Sequence, residues 1–147
     1  LRNTFDDCSL TTDLMVGFTG ETDEDFRESL AFVKKIAFEK VHIFPYSQRM
    51  GTAASKRGDS VSKSEKDRRA AEAAAVAEKI RADYLRSQTG KTVKVLFEGE
   101  AEKGIFRGYT MNYIPVKVQC NRDITGLELD CVITGTDGEE CFANLDF

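Results

Sequence analysis

Several residue types are scarce or missing from this chain of 147 residues, which has no tryptophan, one histidine and two prolines. No apolar run approaches the roughly 20 residues that a membrane-crossing helix needs, which excludes such a helix. Basic residues are not in excess either, because 21 Lys and Arg stand against 25 Asp and Glu and leave a net charge of −4. Since counterion release favours basic surfaces, we expect any nucleic-acid contact to be local and shape-specific.

The four cysteines do not form a metal motif. Cys8 stands alone, and Cys120, Cys131 and Cys141 are much further apart than the about two to four residues that separate paired zinc ligands. We therefore expect reduced cysteines packed in the core of a cytoplasmic protein. The chain begins at Leu1 without an initiator methionine, and we expect it to be a fragment of a longer protein.

The first part of the chain predicts a β-α-β unit. A strand over 9–18 contains the continuous apolar run of residues 14–16, which is typical of a sheet covered on both faces. Thr22 and Asp25 resemble a capping box, and apolar residues at helical spacing follow them. A second strand over 40–46 completes the unit, so we expect the two strands to be parallel.

A second helix is predicted between Ser62 and Gly90. Ser62 and Glu65 have capping-box spacing, and Gly90 is suited to end the helix. Arg68 and Arg69 are expected on its solvent side, opposite a buried stripe of Ala73, Val76, Ile80 and Tyr84.

After Gly90 the hydrophobic period changes to two residues. Five short antiparallel strands are predicted, with a hairpin turn at residues 136–138, and they suggest a small OB-like barrel. The fold class is therefore α/β followed by all-β. We expect one domain over 1–88 and a second over 89–147.

Two segments have the composition of binding sites. Tyr109, Asn112 and Tyr113 join two strands of the predicted barrel, near Arg107 and Lys117, and this set suits base stacking and hydrogen bonding to RNA. A tyrosine-rich packing corner is an equal alternative on the residues alone. The segment Gly17-x-x-Gly20 follows a strand at the ligand-facing edge of an α/β sheet, and a plain tight turn is its alternative.

Three long segments resemble a known family. Residues 12–22 (TDLMVGFTGET) and 42–53 (HIFPYSQRMGTA) are similar to the fifth and sixth barrel strands of radical S-adenosylmethionine methylthiotransferases. The chain from about residue 88 resembles their TRAM domain. Residues 108–116 (GYTMNYIPV) most resemble the branch that acts on threonylcarbamoyladenosine in tRNA. The resemblance implies the last two βα units of a radical SAM barrel followed by a TRAM barrel.

The resemblance also implies cofactors, partners and sites. The full-length enzyme would use S-adenosyl-L-methionine and two 4Fe-4S clusters to add a methylthio group to C2 of N6-threonylcarbamoyladenosine beside the anticodon of tRNA. The TRAM part would bind tRNA through Arg107, Tyr109, Asn112, Tyr113 and Lys117. Part of the S-adenosyl-L-methionine wall would be formed by Val16, Gly17, Phe44, Pro45 and Tyr46.

The chain departs from the family in ways that limit this interpretation. The family usually has proline where this chain has Thr19 and Gln48, and its three-cysteine cluster motif has no counterpart here. We therefore expect no catalytic residue, no metal ligand and no activity in this chain alone. A free-standing RNA-binding module and a purely structural interaction domain remain alternatives. An uncovered first strand also predicts a homodimer formed through its edge.

Overall fold

A computed structural model describes residues 4–5, 7–58 and 60–146. They form two compact units. Leu10–Ile80 make up one, named here the β-α-β unit, and residues 81–146 with the described residues before Leu10 make up the other, named the barrel unit. In the part of the chain that the structure describes, no helix is long and apolar enough to cross a membrane.

The β-α-β unit begins with strand β1 (Thr11–Val16), helix α1 (Asp23–Ile36) and strand β2 (Lys40–Pro45). The strands are parallel, as predicted. The predicted capping box is also confirmed: the Thr22 hydroxyl accepts from the Asp25 backbone N–H at 3.1 Å, and the Asp25 carboxylate accepts from the Thr22 N–H at 2.9 Å. These two bonds satisfy amides that the first turn of a helix leaves without intrahelical acceptors.

The core of this unit lies on one side of the two strands. Phe26 and Leu30 of α1 pack with Val16 and with Ala73. The expected burial of β1 on both faces is not observed in the described residues, because Met15 on the opposite face is 42% exposed. Alternate residues of a strand point to opposite faces, and only one face of β1 meets the helices.

A short 3-10 helix (Ala54–Arg57) precedes helix α2 (Lys63–Arg86). The boundary between the two units falls within α2, between Ile80 and Arg81. The Ser62 hydroxyl accepts from the backbone N–H of the residue three positions on, which confirms half of the predicted capping box. Gly90 has φ +87° but lies beyond the last helical residue, and its N–H donates to the Ile133 carbonyl. The placement of Arg69 on the solvent side is wrong, since this residue is 4% exposed.

Five strands form the barrel unit as a closed ring in the order β3-β4-β5-β7-β6. Their bounds are Thr92–Glu102 (β3), Ile105–Thr110 (β4), Pro115–Gln119 (β5), Glu128–Thr136 (β6) and Cys141–Leu145 (β7). The number of strands and the hairpin between β6 and β7 confirm the sequence prediction.

One pairing of the barrel differs from the prediction. The strands were expected to be antiparallel throughout, but β5 and β7 are parallel. Neighbouring directions cannot alternate around a closed ring with an odd number of strands, so at least one pair must be parallel. The interior is filled by fully buried side chains that include Phe97, Ile114, Cys131 and Cys141, and the two cysteines therefore confirm the expected core role.

Candidate nucleic-acid interface

The loop between β4 and β5 is fixed by its own hydrogen bonds. The Tyr113 N–H donates to the Thr110 carbonyl at 3.0 Å, and the Thr110 hydroxyl accepts from the Ile114 N–H at 3.0 Å. Tyr113 adopts φ +63°, a left-handed conformation that is uncommon for a bulky residue and that tends to be found at functional sites. The loop therefore holds Tyr113 in one strained position, with 80% of the residue exposed.

Asn112 has its side-chain amide engaged inside the barrel unit. Its Nδ2 donates to the Asp7 carbonyl at 3.0 Å and to the Tyr84 hydroxyl at 3.1 Å, and its Oδ1 accepts from the Thr110 hydroxyl at 2.6 Å. Both amide hydrogens are in use. In this conformation Asn112 anchors the loop, and a direct hydrogen bond from Asn112 to a base would require these contacts to break.

The exposed side chains next to this loop line a groove of about 630 Å³. Tyr109 and Leu96 are paired across β4 and β3 and form its floor, and Gly108 allows this close approach because a Cβ there would collide with the Leu96 carbonyl. Met111 and Tyr113 also line the groove, and these residues are 86% and 80% exposed to solvent. The groove thus presents two aromatic rings and two flexible apolar side chains to solvent.

Charges of both signs border this groove. Glu98 and Glu128 line it together with Lys94, whose ammonium lies 3.1 Å from the Asp130 carboxylate. The groove is therefore an aromatic and apolar surface with an acidic border. This surface suits the flat face of a base better than the phosphate backbone.

Arg107 and Lys117 are brought side by side by the β4–β5 pairing. Both contact one carboxylate, that of Glu140. The Arg107 Nη2 donates to Glu140 Oε2 at 3.3 Å, and its Nε lies 3.0 Å from Oε1 in an ion pair that is poorly aligned for a hydrogen bond. The Lys117 ammonium lies 2.5 Å from the same carboxylate. Arg107 and Lys117, which were predicted to bind RNA, are therefore already paired with an anion.

The residues expected to line a cofactor are divided between the two faces of the β1–β2 sheet. Val16 is fully buried, and Tyr46 is 8% exposed with its ring 5.0 Å from that of Phe18. Phe44 and Pro45 are exposed. Phe44 lies on the open side, where it is paired with Met15, which the sequence analysis did not single out, whereas Pro45 is paired with Val16 at the end of the sheet.

Backbone groups at the end of β1 are largely committed. The Gly17 N–H donates to Glu21 Oε2 at 2.6 Å, and the Val16 carbonyl accepts from the Tyr46 N–H at 2.8 Å. Gly17 has φ +69°, and a Cβ at this position would overlap the Lys66 side chain. This glycine is therefore required by the turn itself, which supports the plain-turn alternative without excluding a ligand on the open side.

A buried arginine that the sequence analysis placed in solvent organises this turn. Arg69 donates to the Glu21 carboxylate at 2.6 Å, to Asp23 at 2.9 Å and to Glu65 at 2.9 Å. Burial opposes its charge, but these hydrogen bonds together raise the pKa of Arg69. Hydrogen bonding to Arg68, with a further bond to Arg69, lowers the pKa of Glu65 to about 2. These ion pairs therefore hold the β1–α1 turn against α2: Glu21 and Asp23 lie on the turn side, and Arg69 lies on α2.

The described residues do not fit an iron–sulfur cluster. No three His, Cys, Asp or Glu side chains in the described ranges lie close enough to hold a metal ion. Burial raises the pKa of Cys131 to about 11 and also raises the pKa of Cys141, which disfavours the thiolate that a cluster requires. No step of cluster chemistry is therefore assigned to these residues.

Comparison with known proteins defines the class to which this arrangement is related. No protein-family model matches the chain. Curated relatives do match it, and the chain resembles a C-terminal part of tRNA methylthiotransferases. It spans only a quarter to a third of the length of these relatives.

Individual relatives come from two named groups. The chain is 40% identical over 122 residues to threonylcarbamoyladenosine tRNA methylthiotransferase MtaB of Thermotoga maritima, covering 83% of this chain and 28% of that protein. It is 32% identical over 130 residues to the Bacillus subtilis protein of the same name, covering 86% and 29%. It is 35% identical over 128 residues to tRNA-2-methylthio-N(6)-dimethylallyladenosine synthase of Bacillus pumilus, covering 86% and 25%.

Proposed function

We propose that this chain is the C-terminal part of a cytoplasmic radical SAM methylthiotransferase that modifies adenosine beside the anticodon of tRNA. The observation that carries the proposal is the similarity to tRNA methylthiotransferases over more than four-fifths of the chain. Identity is comparable for both named groups of relatives. The assignment to threonylcarbamoyladenosine therefore rests on the loop sequence of residues 108–116.

The barrel unit is proposed to be a TRAM domain that binds tRNA. Its contribution is stacking of unpaired bases on Tyr109 and Tyr113, with Met111 and Leu96 extending the apolar surface of the groove. Three observations support this role: the exposure of these side chains, the strained backbone that holds Tyr113, and the bonds through which Asn112 fixes the loop. Aromatic stacking needs no basic surface, which is consistent with the net charge of the chain.

The β-α-β unit is proposed to contribute the end of the SAM barrel, within the predicted domain of residues 1–88. Its open face would offer Phe44, and the strand ends would offer Pro45 with the backbone of Val16 and Gly17, as part of the S-adenosyl-L-methionine wall. Tyr46 would support this wall from behind, since its side chain is buried. When bound to the full-length enzyme, that cofactor would supply the radical and the methyl group.

The proposal for the barrel unit is tested by Tyr113→Ala. Stacking of one base on one aromatic ring contributes roughly 1–3 kcal/mol, so tRNA affinity is expected to fall about 5- to 150-fold. Alanine keeps the same backbone requirement at φ +63°, so the melting temperature should stay close to that of the wild type. Fluorescence anisotropy with labelled tRNA measures the affinity.

Phe142→Ala is the matched control, because Phe142 is an aromatic residue with 40% exposure that does not line the groove. Its tRNA affinity should equal that of the wild type. If Tyr113→Ala leaves the affinity unchanged and lowers the melting temperature, the tyrosines belong to a packing corner and the proposal is wrong.

A further inference from the structure

The carboxylate of Glu140 occupies a position between two cations on the barrel surface. Its two oxygens contact the guanidinium of Arg107 and the ammonium of Lys117, as described above. The Glu140 side chain is 17% exposed, compared with 42% for Arg107 and 25% for Lys117. The anion of this cluster is therefore its least accessible member, and it lies between the cations that would otherwise receive a phosphate.

The position of Glu140 does not depend on the ion pairs alone. Asp137 Oδ1 accepts from the backbone N–H of Glu139 at 2.9 Å and of Glu140 at 2.8 Å. The Thr136 hydroxyl donates to the Glu140 carbonyl at 2.6 Å. The hydrogen bonds from the Glu140 and Glu139 backbone amides lower the pKa of Asp137. The β6–β7 turn is thus fixed by its own contacts, and it places the Glu140 side chain over β4 and β5.

A carboxylate and a phosphate compete for the same donors. Arginine binds either group through its planar fork, and lysine adds a point charge. The Glu140 carboxylate takes donors of both cations and repels a second anion, so a phosphate binds Arg107 and Lys117 more weakly while Glu140 stays in place. The Glu140 carboxylate thus occupies the position that a phosphate would take between the two cations.

We propose that Glu140 shields Arg107 and Lys117 from the phosphates of bound RNA. This inference rests on the proposed RNA binding of the barrel unit and specifies its chemistry. An unpaired RNA segment is held by its bases. Its phosphates do not pair with Arg107 and Lys117, so no counterions are released there. Binding by bases without phosphate neutralisation selects for exposed bases over any polyanion of similar length. Glu140 therefore increases the preference of the barrel unit for unpaired bases and lowers its overall affinity for RNA.

Glu140→Gln tests the shield, because glutamine keeps the shape of the side chain and removes its charge. The probe is a fluorescein-labelled 12-nucleotide oligoadenylate. Each newly available phosphate contact adds about 0.7 to the steepness of the salt dependence for a single strand. Two contacts should increase the slope of log affinity against log salt by about 1.4 and should tighten binding about 5- to 25-fold at 0.1 M salt.

Glu139→Gln is the matched control. It removes the same charge from the neighbouring residue, which is exposed, and we expect the affinity to change less than about 2-fold, as for a general charge effect. Adding Lys117→Gln to Glu140→Gln should remove part of the gain. Equal gains in the two single variants, or no gain in Glu140→Gln, would overturn the proposal.

A second measurement uses the wild-type chain and does not depend on a variant that folds. The Nε–H resonance of Arg107 should stay in place when oligoadenylate is added, while the ring resonances of Tyr113 shift. A shift of the Arg107 signal together with those of Tyr113 would mean that phosphate displaces Glu140 and would contradict the shield. A different result would refute the proposed RNA binding itself: neither the wild type nor Glu140→Gln would bind oligoadenylate.

Discussion

The two units of this chain use β-strands in opposite ways. The barrel unit closes five strands into a ring, so each strand has a neighbour on both sides. The β-α-β unit has two strands, and in the described part of the chain β1 pairs only with β2. One unit therefore satisfies its backbone groups internally, and the other leaves a sheet edge and a sheet face open. From this difference we expect the barrel unit to fold on its own and the β-α-β unit to be stabilised by a further surface.

The largest expected effect concerns the closed core. Phe97 is fully buried inside the barrel, and Phe97→Ala should destabilise the barrel unit by about 3–5 kcal/mol through lost contacts and the cavity left behind. Met15→Ala on the open face of β1 should change stability by no more than about 0.5 kcal/mol. Urea unfolding followed by amide hydrogen exchange measures both. Equal effects of the two substitutions would contradict the contrast between the units.

The next effect concerns the buried charges of the β-α-β unit. Arg69→Ala should cost about 3–5 kcal/mol, because it leaves the nearly buried Glu21 carboxylate without its guanidinium. Arg68 is half-exposed, and Arg68→Ala should cost much less than Arg69→Ala because solvent screens its ion pairs. Hydrogen exchange at the amides of β1 and α1 reports the loss. A small effect of Arg69→Ala would show that the turn is held by its backbone alone.

The same cluster predicts a pH dependence. The pKa of Glu65 is lowered from 4.5 to about 2, so its contribution to stability is present above its unfolded pKa and is lost as the pH falls towards 2. Arg68→Ala and Arg69→Ala should each flatten the stability profile in this window. A profile between pH 5 and pH 2 that neither substitution alters would mean that other carboxylates control acid unfolding.

The smallest and most concentration-dependent effect concerns the open edge of β1. Unpaired strand edges tend to associate, and we expect the chain to form a homodimer through this edge. Sedimentation equilibrium at micromolar concentration should give a mass above the 16.4 kDa of a single chain. Asp13→Pro should return it to the monomer, because alternate residues of β1 bond to β2 and the Asp13 N–H points to the open edge. A monomer with protected β1 amides would contradict the prediction.

Local signals accounted for most of the fold. The capping box at Thr22 and Asp25 and the turn at residues 136–138 each depend on contacts within four residues, and both were predictable for that reason. The period-two pattern likewise located all five barrel strands. In the same pattern Leu96 falls on the outer side with Lys94, so its part in the groove could have been anticipated.

Contacts between distant residues were not predictable in the same way. Arg69 is buried because Glu21 lies opposite it, 48 positions earlier in the chain, and no local pattern encodes that meeting. The contact between Arg107 and Glu140 likewise joins residues 33 positions apart across the barrel. Composition identified Arg107 and Lys117 as available cations, and only the fold revealed the carboxylate between them.

We expect the barrel unit to bind unpaired bases of RNA through its aromatic groove. The most direct test compares the affinity of this chain for a tRNA anticodon stem-loop with its affinity for a fully paired RNA duplex of the same length and charge. Because the groove offers aromatic faces and its neighbouring cations are engaged by Glu140, we expect binding to the stem-loop to be at least about 5-fold tighter and to weaken with Tyr113→Ala. Equal or tighter binding to the duplex would contradict this expectation.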